Sequence, residues 1–199
     1  MNLTDMTARI RKDLHDEDSQ NYRWTDSELS RHIDRAVREL SLSCPLEAKA
    51  ILTTNAESRD ISISSLTDLV DIEAVEYPVG NYPPCYTRFS LWNDILTLLT
   101  DSLPVDSEDV YVYYGKLHTL TTDSSTIPPK LEDLIATGAA AYAAIEWASF
   151  ATNRVNVGGA AVWRNYLTWG QDRLAEFMKG LAKHSKNNTV RVRQLYPVS

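Results

Sequence analysis

Residues 21–40, NYRWTDSELSRHIDRAVREL, decide how this chain is read. Thr25 stands three residues before Glu28, the T-x-x-E spacing in which a hydroxyl caps a helix N-terminus and a carboxylate reaches back to the cap's own amide. Asp26 and Glu28 add negative charge where the helix dipole is positive. From there Leu29, Ile33, Ala36, Val37 and Leu40 recur at helical spacing, with Arg31, Asp34, Arg35, Arg38 and Glu39 on the other faces. The pattern predicts an amphipathic helix that stops before Pro45. Trp24, one residue before the cap, is placed to fold back on the first turn as a hydrophobic staple and fix the angle at which the chain joins the helix.

Upstream, Met6, Ile10 and Leu14 fall at steps of four, one stripe of a short helix that Asn2 or Thr4 is placed to cap. The polar stretch HDEDSQNY ends it. Asp16 and Asp18 have the one-three spacing of a calcium loop, but the sixth position is Asn21 rather than Gly and the twelfth is Ser27 rather than Glu. It reads as a solvated turn.

The middle of the chain changes character. AKAILTT, RDISISSL, LVDIEAVEYPV, RFSLWNDILTLL and DVYVYYGKLHTL are rich in Ile, Val, Tyr and Thr and are punctuated by Asn, Asp, Ser, Pro and Gly. That is the pattern of short antiparallel strands. Residues 91–100 fit neither period cleanly, and strands are the better reading. Pro128 and Pro129 then mark a boundary. Leu131, Leu134, Ile135, Tyr142, Ile145 and Phe150 predict a second helical block, in which TGAAAYAA supplies small residues for close helix contact. After ATNRVNVGG a last amphipathic helix, about residues 159–184, carries Val162, Trp163, Tyr166, Leu167, Leu174, Phe177, Met178 and Leu181.

The expected fold class is therefore α+β. A helical bundle comes from residues 1–45 and 128–184, a strand-rich insertion from 46–127, and an extended C-terminal arm from 185–199. Of the 199 residues, 43% are hydrophobic and 24% charged, a globular composition with enough apolar surface for a core. The net charge of −7 is unevenly spread: residues 1–153 hold 12 basic against 25 acidic side chains, and residues 154–199 hold 8 against 2. An acidic body with a basic end suggests a steered partner for that end.

Several chemistries lack their residues. No phosphate-binding glycine loop and no G-x-S-x-G nucleophile elbow occurs. The histidines at 15, 32, 118 and 184 keep no metal-ligand spacing and read as surface or interface residues. Cys44 and Cys85, each beside a proline, are too few for a disulfide framework and read as reduced structural thiols. The tyrosines of DVYVYYG have only Lys116 nearby as a basic partner, so packing explains them better than base stacking. No secretion signal or membrane-length apolar run is read, which points to synthesis in the cytoplasm and no membrane partner. No enzyme activity, cofactor or metal is expected.

The order of these features resembles the head-to-tail connector adaptor, or head-completion, proteins of tailed bacteriophages. Their opening pattern, R-x-x-L-x-D followed by W-[ST]-D-x-E-L-x-x-[YH]-I-x-x-A-x-x-E-[LI], is filled here by Arg11, Leu14, Asp16, Trp24, Thr25, Asp26, Glu28, Leu29, Ile33, Ala36 and Glu39. The resemblance implies a ring, usually twelvefold, beneath the portal of a DNA-filled capsid. It implies a virion neck location, a downstream tail or stopper protein as second partner, and double-stranded DNA passing through without sequence-specific binding. The strand-rich middle is larger than in the shortest members. An acidic body suits a conduit in which DNA slides, because few neutralised phosphates release few counterions. The C-terminal arm, with apolar Val190, Val192, Leu195 and Tyr196 and cationic Arg191 and Arg193, is the expected portal-binding element. Those groups have nothing local to pack against, so mobility is expected there in the free monomer. The chief rival is a monomeric carbohydrate- or protein-binding module of a virion, which five Trp and ten Tyr permit.

Overall fold

A computed structural model describes residues 1–151 and 161–185. The fold is α+β, four helices and two antiparallel sheets. The described chain divides into two compact units, one of residues 1–44 and 118–185, the other of residues 45–117.

In the helical unit α1 is Leu3–Asp13, α2 Asp26–Ser43, α3 Glu132–Ala151 and α4 Val162–His184. Asn2 caps α1, its side chain accepting the Asp5 amide at 2.9 Å. A single 3-10 turn, Pro129–Leu131, leads into α3, with proline where a missing N–H costs nothing. Helix α3 packs against each of the other three. Its Ile135, Ala136, Gly138, Ala139, Ala140, Ala141, Tyr142, Ala143, Ala144 and Ala148 are all buried, so apolar side chains surround the helix rather than forming one stripe. For that reason Pro129–Ala151 is long and apolar enough to cross a membrane by length and composition, although 61% of its apolar 18-residue window is buried inside the protein. No such run was expected from the sequence; alanine raises mean hydropathy without forming a bulky apolar block. Phe150 and Met178, expected in buried stripes, are instead exposed.

Small residues bring α3 and α4 close. A Cβ on Gly138 would lie 2.9 Å from the Phe177 ring, and one on Gly170 would lie 2.8 Å from Ile145 Cγ1 and 3.2 Å from the Ala141 carbonyl oxygen. The helical core gathers Met6, Ile10, Leu29, Ile33, Leu40, Leu131, Ile135 and Phe177, each fully buried or nearly so.

Residues 118–127, assigned to the insertion in the sequence reading, pack with the helices. The Ser41 hydroxyl accepts the His118 amide at 2.9 Å, the His118 Nε2 lies 3.1 Å from the Cys44 carbonyl oxygen, and its Nδ1 lies 3.1 Å from that of Thr126. Ile127 joins the helical core. His118 is thus a buried, fully engaged histidine rather than a surface one.

The second unit holds β1 Leu46–Thr53, β2 Asp60–Ser62, β3 Leu69–Glu76, β4 Tyr86–Thr87, β5 Phe89–Trp92, β6 Ile95–Leu98 and β7 Asp109–Lys116. One sheet has the order β1-β7-β3-β4 and the other β2-β6-β5. Residues 89–98 are a hairpin, with Asn93 at the tip in the left-handed region (φ 53°) that asparagine tolerates. Both sheets give apolar residues to one core: Ile61, Leu96 and Leu98 from the smaller, Ile72, Val75, Val110 and Val112 from the larger. Outside that core Tyr113 donates to Glu76 at 2.7 Å, a bond that, with its burial, pushes the phenol up to about 12. Lys49 Nζ sits 3.4 Å from the centroid of the Tyr111 ring.

Candidate functional site

The polar chemistry of the helical unit concentrates where α1 turns into α2. Helix α1 ends in a left-handed residue, His15 (φ 52°), with the His15 amide donating to Lys12 O at 3.1 Å and the Asp16 amide to Arg11 O at 2.9 Å. This is a Schellman closure. It returns Asp16 to the base of Arg11, and the two side chains meet in the interior, each only 6% exposed, at 2.7 Å.

Arg11 has further partners. Its second terminal nitrogen donates to the Trp24 carbonyl at 3.0 Å and to Asp26 Oδ1 at 2.7 Å, and its guanidinium stacks on the Tyr22 ring, 3.5 Å from the centroid. Asp16 in turn accepts the Arg23 amide at 2.7 Å and the Trp24 amide at 3.3 Å. The loop that reads as a solvated turn is therefore wound around a buried ion pair. Its sequence signal is the R-x-x-L-x-D spacing, which places Asp16 where a helix-ending turn brings it back to Arg11.

Next comes the helix start itself. Thr25 Oγ1 accepts the Glu28 amide at 3.2 Å, and Glu28 Oε2 accepts the Thr25 amide at 2.7 Å, so both halves of the capping box form. The bonds it accepts from the Thr25 amide and the Thr25 hydroxyl hold the Glu28 carboxyl below its ordinary range. Asp26 has its carboxylate largely in solvent while one oxygen reaches Arg11. Trp24 does more than staple the first turn. It is 4% exposed, and its indole Nε1 donates to the Ala143 carbonyl of α3 at 3.2 Å. Its ring lies 6.4 Å from Tyr166 of α4, which packs 4.4 Å from Trp147 of α3. Arg23 stacks over Trp147 and donates to the Tyr166 hydroxyl. The tryptophan before the cap thus ties α2 to α3 and α4.

One further polar contact joins α2 to α3. His32, 7% exposed in its side chain, places Nε2 2.9 Å from Glu146 Oε2, and Arg31 holds the same carboxylate at 2.5 Å. Burial lowers the His32 pKa; Glu146 opposes that shift and Arg31 and Arg35 add to it. The sequence offered no signal that His32 is interior, because its i, i+4 neighbours on α2 are Glu28 and Ala36 rather than a metal-ligand set.

Two clefts flank this region, one of about 480 Å³ lined by Thr7, Arg11, Tyr22, Asp26 and Ser30, the other of about 320 Å³ lined by Leu14, His15, Tyr166 and Trp169. Among the described residues no group of His, Cys, Asp and Glu is placed to hold a metal ion. Every polar group described above already has its partner within the fold, which is what a scaffold does with them. Cys44 is buried and Cys85 exposed, both free thiols. The arm residues Val190, Arg191, Val192, Arg193, Leu195 and Tyr196 lie outside the described residues.

In this geometry the polar residues brace the helices against one another. The chain belongs to the SU10 adaptor protein family, whose sequence model matches residues 1–193. The resemblance read from Arg11 to Glu39 is borne out at that level. None of the curated proteins compared matches the chain. Among solved structures it is similar to a chain from the neck of an empty GTA particle, computed with C6 symmetry. That likeness has 14% identity, covers 96% of this chain and 92% of the other, and has a TM-score of 0.28.

Proposed function

We propose that this chain is the ring-forming adaptor of a phage neck, seated beneath the portal, where it lengthens the DNA channel and offers the surface on which a tail or stopper protein docks. Membership of an adaptor family across residues 1–193 carries the reading. Made in the host cytoplasm, the subunit joins a ring, twelvefold in this reading, and ends in the virion neck. Its acidic body suits passage of DNA without strong phosphate binding. The braced α1–α2 turn gives each subunit a rigid helical body, which a ring of repeated heterologous contacts requires if it is to close.

The arm is the portal-binding element in this proposal. Val190, Val192, Leu195 and Tyr196 supply apolar contacts, Arg191 and Arg193 cationic ones, and an extended segment can add a strand to a partner's sheet. Deleting residues 186–199 tests it: co-sedimentation with the portal should collapse while the circular dichroism and melting of the remaining chain stay as they were. A truncated chain that joined the portal with full affinity would end the assignment of the arm.

A further inference from the structure

The cleft of about 480 Å³ lies between one face of α1 and the first turns of α2. Thr4, Thr7 and Arg11 follow one another on α1 at steps of three and four, so they share a face of that helix, and Asp26, Ser27 and Ser30 are grouped in the same way at the start of α2. A turn at residues 121–124 supplies the third wall. The Leu3 amide donates to Thr121 O at 2.9 Å, and this bond holds Thr122 beside the start of α1. The volume falls within the about 300–1,000 Å³ of small-molecule sites.

Hydroxyls dominate the lining, from Thr4, Thr7, Ser27, Ser30 and Thr122. Those of Thr4, Ser27 and Thr122 bond to no described residue. The Thr7 hydroxyl donates to Leu3 O at 2.9 Å and keeps its lone pairs for a ligand. Because a hydroxyl both donates and accepts, such a wall suits a ligand that itself presents alcohols.

Charge in the cleft is already balanced. Arg11 is held by the buried Asp16 carboxylate and by Asp26 Oδ1, each at 2.7 Å, which leaves it little attraction for an anion. Asp26 is pinned by the same bond, and its second oxygen, in a side chain 81% exposed, is left to accept hydroxyl protons. Tyr22 adds an apolar surface. The Arg11 guanidinium covers one face of its ring, 3.5 Å from the centroid, yet Tyr22 is still 44% exposed, so the other face is a platform held from behind.

A flat aromatic platform, a pinned acceptor and a ring of hydroxyls complement a pyranose, whose faces are C–H and whose rim is alcohol. We propose that this cleft binds a neutral saccharide of mono- or disaccharide size, stacked on Tyr22, with its hydroxyls shared between Asp26 Oδ2 and the Thr and Ser side chains. The site lies within the helical unit and draws on no portal or ring contact.

Two-dimensional NMR titration of the full chain with glucose, galactose, N-acetylglucosamine and cellobiose, with no portal present, tests the site by itself. At least one sugar should give saturable shifts at the Thr4, Thr7, Tyr22 and Ser27 amides, with a Kd on the order of 1 mM. Tyr22→Ala should weaken that binding by about tenfold, whereas Tyr22→Phe, which keeps the ring, should bind as the parent does. The double variant Ser27→Ala, Thr122→Val removes two surface hydroxyls without touching the core, and it should weaken binding several-fold. Glucose 6-phosphate should bind no more tightly than glucose. Absence of a saturable shift with every sugar would overturn the proposal. Full binding by the double variant would do the same, and so would a preference for the phosphorylated sugar, which would make Arg11 an anion hook.

Discussion

Arg11 shows how one residue sets the angle between two helices. Its terminal nitrogens make three hydrogen bonds, to a buried carboxylate, a backbone carbonyl and the first carboxylate of α2. Breaking a buried pair by removing one partner leaves the other charge uncompensated. Arg11→Met should therefore cost about 3–5 kcal/mol, and the double variant with Asp16→Asn should recover part of that loss, as denaturant melts of both would show. His32 gives a second prediction, in pH. Burial depresses its folded pKa below the ordinary 6.5. The unfolded state then binds the proton more readily, so stability is full above about pH 6.5 and falls as pH drops through the folded value. His32→Gln should flatten that acid limb of the melting temperature, while a limb of unchanged steepness would show that the interior histidine is not its source.

The elements were legible in the sequence where local periodicity governs them. The T-x-x-E box, the α2 stripe and the strand-forming composition of DVYVYYGKLHTL are local patterns, and each element stands where its pattern lies. What escaped was set by contacts distant in sequence. Helix α3 is buried nearly all round, so a search for one stripe placed Phe150 in the core when it is exposed. The hold of Ser41 on the His118 amide, across 77 positions, has no local signature, and residues 118–127 were read into the insertion for that reason. Asp16 was hidden in a run of charges that composition alone marks as solvated.

Two predictions follow from the helices. Thr25→Ala removes one half of the capping box and should cost about 0.5–2 kcal/mol. Trp24→Ala, which empties a buried site between α2, α3 and α4, should cost more, about 3–5 kcal/mol. Thermal melts unchanged by both would contradict the bracing role. Gly170→Ala drives a Cβ toward backbone of α3 and should destabilise by about 1–3 kcal/mol, despite alanine's better helix propensity. Gly180→Ala meets the movable end of Leu134 and should be milder. If the two ranked in the opposite order, α3 and α4 would not be packed as closely at Gly170 as described.

At the scale of the whole molecule, the chain joins a braced helical unit to an acidic strand-rich unit, and its C-terminal sequence is basic. Membership of the adaptor family points to a structural role, and the buried polar groups described above are bonded inside the fold. Large aromatic side chains such as Trp92 and Tyr82 stand exposed in the strand-rich unit. The most direct test is electron microscopy of the purified chain mixed with the portal protein of its own particle. The account predicts a second ring coaxial with the portal, twelve subunits around, with an open channel continuous through both. Portal rings that remain bare beside a monomeric chain, at concentrations well above those used for assembly, would contradict it.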